Sequence, residues 1–261
     1  MKEKNEELFC SMPIPKAILV LAVPTVISQI ITIIYNMADT FFIGQLGEPR
    51  QVAAATLNMP LFMFMTALSN LFGVGGSSLI SRFLGANEHK KASHCCAFCI
   101  WTTAVSAFLY GIFMLLFSPV LMPVLGANEE TLPLASSYLF WTIGIGAVPT
   151  VLNPALAHLI RAEGYSKQAS FGVAFGGVLN ILLDPLFIYG LRLQITGAAI
   201  ATLISNTIAL LYFLHFIWKI RATSVLTLSP RMYRITDHIP SEVLSIGLPS
   251  FLISMMGTVS N

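Results

Sequence analysis

Two carboxylates, Asp39 and Asp184, stand inside long apolar runs, while the other ten acidic residues fall in tails, connections or a polar linker. A charge in an apolar stretch long enough to cross a bilayer is costly, which makes each a functional candidate; pairing with a polar neighbour or snorkelling to the surface is the bland alternative. Asp184 is followed at once by Pro185, in Asn180-Ile-Leu-Leu-Asp-Pro-Leu-Phe-Ile-Tyr189. The proline has no N–H to give the Ile181 carbonyl, so an acceptor is left loose beside the carboxylate. Spacing adds further groups. Tyr35 lies four residues before Asp39, Asn180 four before Asp184, and Ala198 four before Thr202, each on the same helical face as its companion. Asp39 lies five residues before Gly44, Asp184 six before Gly190, and Thr202 five after Gly197. At a rise of 1.5 Å per residue, all three sit roughly 7–9 Å below one end of their helices. Carboxylate, amide, hydroxyl and free carbonyl oxygens form a hard ligand set suited to a small cation or a proton.

The elements that position them follow from composition. The chain has 261 residues, 56% of them hydrophobic and only 10% charged, against roughly 25% charged in a soluble domain. Its apolar blocks are Lys16–Ile43, Val52–Ile80, Ala92–Phe117, Leu134–Ile160, Ala169–Tyr189 and Thr196–Trp218. A seventh begins near Val243 and is still apolar at Asn261. A spanning helix needs about 20 such residues. The strict alternation of a β-barrel is absent. The first block is too long for a signal peptide, has no small-x-small cleavage site and is followed by more spans. The fold class is therefore an all-α polytopic membrane protein, with six helices in one lobe plus the start of a seventh.

Basic residues orient it. Twelve of the fourteen Lys and Arg fall in the N-terminal tail and in alternate connections, leaving only Arg50 and Arg192 on the other side. That asymmetry predicts a multi-pass protein of the cell membrane with a cytoplasmic N-terminus. Cys10, Cys95, Cys96 and Cys99 then lie on the reducing side. With His89 and His94 nearby they suggest a metal cluster at most weakly, and small apolar packing is the reading taken.

The segment Lys219–Glu242 is polar, basic and punctuated by Pro230 and Pro240, as a linker between two bodies would be. Sliding the chain by 225 residues aligns Ile14-Pro15 with Ile239-Pro240, Pro24 with Pro249 and Asn36 with Asn261. Internal repeats mark transporter folds built from related halves. The predicted divisions are a tail at 1–15, a six-helix lobe at 16–220, a linker at 221–242 and an incomplete first helix of a second lobe at 243–261. On this reading the chain is a truncated form lacking its C-terminal lobe. Softer signals are Pro24, a kink or hinge in helix one, and Pro149 with Asn153-Pro154, expected to break helix four. Gly73-Val-Gly75-Gly76 is read as close helix packing, and Met59–Met65 as soft packing surface that also suits varied organic ligands.

These residues resemble the multidrug and toxic compound extrusion (MATE) family, particularly its DinF-like branch. The resemblance covers nearly the whole chain. It rests on Pro24 with Tyr35-Asn-Met-Ala-Asp39-Thr, Gly73-x-Gly75 with Ser81-Arg-Phe-Leu-Gly85, Leu159-Ile-Arg-Ala-Glu-Gly164, Asn180-x-x-x-Asp184-Pro185 and Gly197-Ala-Ala-Ile-Ala-Thr202. It implies a transporter, not an enzyme, with two six-helix lobes facing a central cavity. Such a protein exchanges Na+ or H+ for amphipathic, often cationic, organic compounds. It also implies a cation site of Asp39, Asn180, Asp184 and Thr202, with Tyr35 and Asn153 in the polar network around it. The implied partners are small organic substrates, the lipid bilayer and the missing lobe, not nucleic acid. The only cofactor implied is the coupling ion, Na+ or H+. Two other readings stand beside this one: a lipid-linked sugar flippase of related fold, and a non-transporting membrane assembly domain.

The topology is directly testable. With the native thiols replaced, Glu129→Cys should react with an impermeant thiol reagent on intact cells, and Arg231→Cys should not. Equal labelling of the two would overturn the orientation.

Overall fold

The protein is described by a computed structural model over residues 12–235 and 238–256. Lys2, Lys4 and Cys10 of the tail, and Asn261 of the repeat, lie outside the described residues. A bilayer offers nothing to bond an open N–H or C=O, so each span closes its own backbone ladder as a helix.

Helix α1 (Ile14–Gly44) opens with Pro15 in its first turn, where no N–H is needed, and carries Pro24 inside. The span predicted over Val52–Ile80 is one stretch, Pro49–Gly85, built from two helices, α2 (Pro49–Leu57) and α3 (Met59–Gly85). The break falls at buried Asn58, whose amide donates to the Ala54 carbonyl at 2.9 Å and the Ala135 carbonyl at 3.2 Å. Pro60 then starts the new helix in a position that wants no donor. Helix α4 (His89–Val124) follows, longer at both ends than its apolar block.

The fourth span is bent. Helix α5 (Leu132–Leu139) runs into a π turn, Phe140–Ile145, and α6 (Ala147–Ala162) leaves it at 51°. The bend is at Gly146, not at the prolines the sequence suggested. Pro149 sits in the first turn of α6, where its missing N–H costs nothing, and Pro154 is carried within the helix. Gly111 of α4 accommodates the bend, because a Cβ there would meet the Ile143 carbonyl oxygen at 2.9 Å and that of Gly144 at 3.0 Å.

Helix α7 (Ser166–Pro185) ends at its proline and continues as a π turn, Leu186–Gly190. Helix α8 (Gln194–Ile220) starts against it. A Cβ on Gly197 would lie 2.7 Å from the Phe187 carbonyl oxygen, and buried Gln51 of α2 accepts the first-turn N–H of Ile195 at 3.1 Å. Among the described residues six helices or helix pairs are long and apolar enough to span a membrane, and the bent pair makes seven.

The segment after α8 is docked, not loose. Glu163, just past α6, accepts from the Ser224 hydroxyl and from the Val225 N–H. Trp101 donates to the Leu228 carbonyl at 3.3 Å, His94 contacts the Met232 carbonyl at 2.9 Å, and Tyr233 stacks on Phe98. Leu226 is wholly buried. Cys95, Cys96 and Cys99 are buried on the same part of α4, with Cys99 against Gly76.

Helix α9 (Ile239–Met256) begins at the residue aligned with the start of α1 and carries Pro249 where α1 carries Pro24. It crosses α3 through two glycines. A Cβ on Gly75 would strike the Val243 carbonyl, and one on Gly247 would strike the Leu71 carbonyl. Asn70 of α3 donates to Ser254 of α9 at 2.9 Å, and Phe64 meets Phe251 edge-on. Helices without a hydrophobic drive between them associate through such close backbone approach and hydrogen bonds. In a chain stripped of native thiols, Asn70→Cys with Ser254→Cys should therefore oxidise readily to a disulfide. Adding Gly247→Leu should cut that yield several-fold on a gel, and an undiminished yield would show the crossing does not depend on the glycine.

Candidate cation site

Helix α1 lies along α7, and one glycine sets how close. A Cβ on Gly177 would meet the Tyr35 ring at 2.9 Å and Ile31 at 3.2 Å, so the tyrosine can lie flat on the α7 backbone. One turn further along α1, Asp39 is thereby turned toward α7 rather than toward lipid. Its Oδ1 is buried without a hydrogen-bond partner.

Across from it, Asp184 is completely buried in the last turn of α7. Asn180, one turn earlier on the same face, donates from one amide nitrogen to Asp184 Oδ1 at 3.3 Å and to Thr202 Oγ1 of α8 at 3.3 Å. Asn180 Oδ1 and Asp184 Oδ2 are, like Asp39 Oδ1, buried and unpartnered. Asp39 and Asp184 stand on helices that pack against each other. Buried acceptors without donors are rare and call for an explanation. Three acceptor oxygens from two carboxylates and an amide suit a hard monovalent cation or a shared proton. Among the described residues no cluster of three His, Cys, Asp or Glu could hold a metal ion, so any ion here would depend on the neutral ligands too.

Pro185 closes α7 without an N–H for the Ile181 carbonyl, and the next amide, Leu186, bonds Leu183 instead. The change to a π turn follows immediately. Such turns recur where a helix absorbs an extra residue.

The remaining sequence candidates divide. Tyr35 lies one turn before Asp39 with its ring on Gly177 of α7. Asn153 is buried, but its amide donates to Asn206 of α8, at 2.8 Å to the carbonyl and 3.3 Å to Oδ1. Asn206 donates in turn to Thr150 at 3.2 Å. That forms a second α6–α8 network, with no hydrogen bond to the Asp184 set among the described residues. Ala198 supplies only a buried methyl group. The polar companion of Thr202 is Asn206, four residues after it, a position the same spacing rule reaches by looking forward along α8. Tyr138 of α5, also missed, is buried and meets Phe62 edge-on. Nothing in its surrounding sequence singles it out. Pro24 lies within α1, four residues before Ser28.

The profile of the MatE family matches residues 24–186, well over half of the chain and including Asp39, Asn180 and Asp184. The chain belongs to that family. It is 32% identical over 256 residues to the multidrug export protein MepA of Staphylococcus aureus, covering 98% of this chain and 56% of the relative. A crystal structure of MATE in complex with MaD3S superposes with a TM-score of 0.90 at 30% identity, over 98% of this chain and 57% of that one. An outward-facing multidrug resistance MATE transporter of the MOP superfamily superposes with a TM-score of 0.88 at 30% identity, over 98% and 56%. The chain thus spans about half the length of the curated relatives it matches, and as a MatE family member it is a multi-pass membrane protein.

Proposed function

We propose that this chain forms one lobe of a cation-coupled exporter of amphipathic organic compounds, a transporter and not an enzyme. The observation that carries the proposal is the trio of buried, unpartnered oxygens on Asp39, Asn180 and Asp184, from two helices that share one face-to-face contact. A bound Na+ or proton would satisfy them. Losing it would leave two carboxylates facing each other in a medium of low dielectric, which is costly. Thr202 holds Asn180 in place from a third helix. Pro24 weakens the ladder of α1 below Asp39, so that helix can bend in response to a change of charge at the site. Export of drugs by the MepA relative supports organic compounds as the cargo. A second lobe would supply the other wall of the cavity. The basic ends of the helices would face the cytoplasm.

Two measurements test this. In detergent, Na+ or a fall in pH should raise the thermal midpoint of the chain, and Asp184→Asn should remove that response. A ligand at 100 times its Kd stabilises by about 2.7 kcal/mol, enough to read as a shift of several degrees. Joined to a second lobe in vesicles, the chain should drive gradient-dependent efflux of an organic dye. Asp184→Asn or Asp39→Asn should abolish that efflux, and the double change should add little because the pair acts as one unit. Thr202→Ala should be milder. Normal efflux by Asp184→Asn from pH 6 to 8, with and without sodium, would reduce the carboxylate to a structural role.

A further inference from the structure

Arg161 belongs by sequence to a set of basic residues at the ends of the spans, yet it does not reach for the surface. It occupies the last turn of α6, is only partly exposed, and turns its guanidinium onto α1. There Nη2 donates to Ser28 Oγ at 3.4 Å, a long contact for a hydrogen bond. Ser28 is 1% exposed and lies about midway along the 31 residues of α1, so the charge points into the lobe rather than snorkelling out. The Nε of Arg161 is buried and has no acceptor.

Among the described residues no ion pair reaches Arg161: those present join Glu48 to Arg50 and Glu88 to Lys91. Glu163, two residues on, is directed at Ser224 and Val225. One turn earlier on the same face stands His158, whose ring lies against Gly73 and makes no hydrogen bond among the described residues. A guanidinium partly withdrawn from water, with one long contact to a neutral hydroxyl, leaves most of its donors unused. Its planar fork of donors fits a carboxylate or a phosphate by two parallel bonds.

We infer that Arg161, flanked by His158 and Ser28 at the junction of α6 and α1, is a binding site for the anionic head of an amphipathic molecule. The ligand is a carboxylate or a phosphate on an apolar tail, either an organic acid or an anionic lipid. The site is separate from the carboxylate set: Asp39 lies eleven residues beyond Ser28 along α1, roughly 16 Å at the helical rise. It does not depend on cation coupling, and binding can be measured without transport.

The experiment compares the full chain with Arg161→Gln, Arg161→Lys and Ser28→Asp in a neutral detergent, using a dansyl-labelled undecanoic acid and its methyl ester. Ser28→Asp places the chain's own carboxylate beside the guanidinium, so it should close the site without harming the fold. Native mass spectrometry after exchange into mixed phosphatidylcholine and phosphatidylglycerol counts retained lipid in parallel. The wild type should prefer the acid over the ester by about tenfold or more, the size expected for a charge-assisted hydrogen bond. Arg161→Gln and Ser28→Asp should abolish that preference, and Arg161→Lys should keep part of it; this outcome identifies an organic acid site. Selective retention of phosphatidylglycerol, lost in the same two variants, identifies a lipid headgroup site. If the wild type discriminates neither acid from ester nor one lipid from the other, the inference is overturned and Arg161 serves only the negative end of the α6 dipole. The same holds if it discriminates but Ser28→Asp, folded by circular dichroism, does so equally.

Discussion

Lipid cannot hydrogen-bond, and every irregularity in this structure is shaped by that one fact. A soluble helix may break and let water take the freed groups. Here each break carries its own internal remedy. Where the chain divides between α2 and α3, the Asn58 amide reaches two carbonyls on different helices. Where the fourth span bends, the Gly146 N–H closes on the Trp141 carbonyl at 3.1 Å, and Gly111 of α4, having no side chain, lets the two helices meet there. Where Pro185 withholds a donor, the helix moves to a π turn whose Leu191 N–H closes on the Leu186 carbonyl at 2.9 Å.

The same constraint separates the groups left unsatisfied from those that are not. Several threonines along the spans spend their hydroxyls on carbonyls one turn back: Thr25, Thr32, Thr103, Thr142 and Thr207. Such bonds make a hydroxyl inexpensive at any depth. A carboxylate has no donor to offer when charged and cannot use that device. Asp184 gets one long bond from Asn180, and its second oxygen gets none. Other buried groups also lack partners, Ser69, Asn153 and Ser170 among them, but among the described residues the unpartnered carboxylate oxygens both lie where α1, α7 and α8 converge.

Much of this was legible in the sequence because membrane thickness and charge cost act on single residues. Span number, the two embedded aspartates, their companions Tyr35 and Asn180, and the meeting of Asn180 with Thr202 all follow from length, helical period and depth. What stayed hidden depends on contacts between distant segments. Prolines at 149 and 154 look like the breakers of the fourth span, but a first-turn proline costs nothing. The bend went to Gly146, where α4 offers a glycine across the interface. Asn153 looked like part of the Asp184 neighbourhood until its amide was found on Asn206. Arg161 falls by composition among the charges at helix ends, yet its guanidinium turns onto Ser28, and composition does not say which way a long side chain turns.

The pairing of α1 with α9 shows how one repeated pattern serves two mechanical ends. Both begin at an aligned isoleucine and carry a proline ten residues on, so each has one weak point at the same height. Their partners differ. Along its length α1 completely buries only Ser28 and Ile43, and its closest glycine contact, at Gly177, is with side chains that can shift. By contrast α9 meets α3 backbone to backbone at Gly75 and Gly247, with Asn70 bonded to Ser254 beyond them. Side chains at an interface can change rotamer as a helix bends, whereas carbonyls against glycine Cα atoms cannot yield without separating the helices. The proline of α1 thus lies in a helix whose contacts can shift. The proline of α9 lies in a helix clamped to its neighbour on either side of it, by Gly75 and Gly247 before it and by the Asn70–Ser254 bond after it.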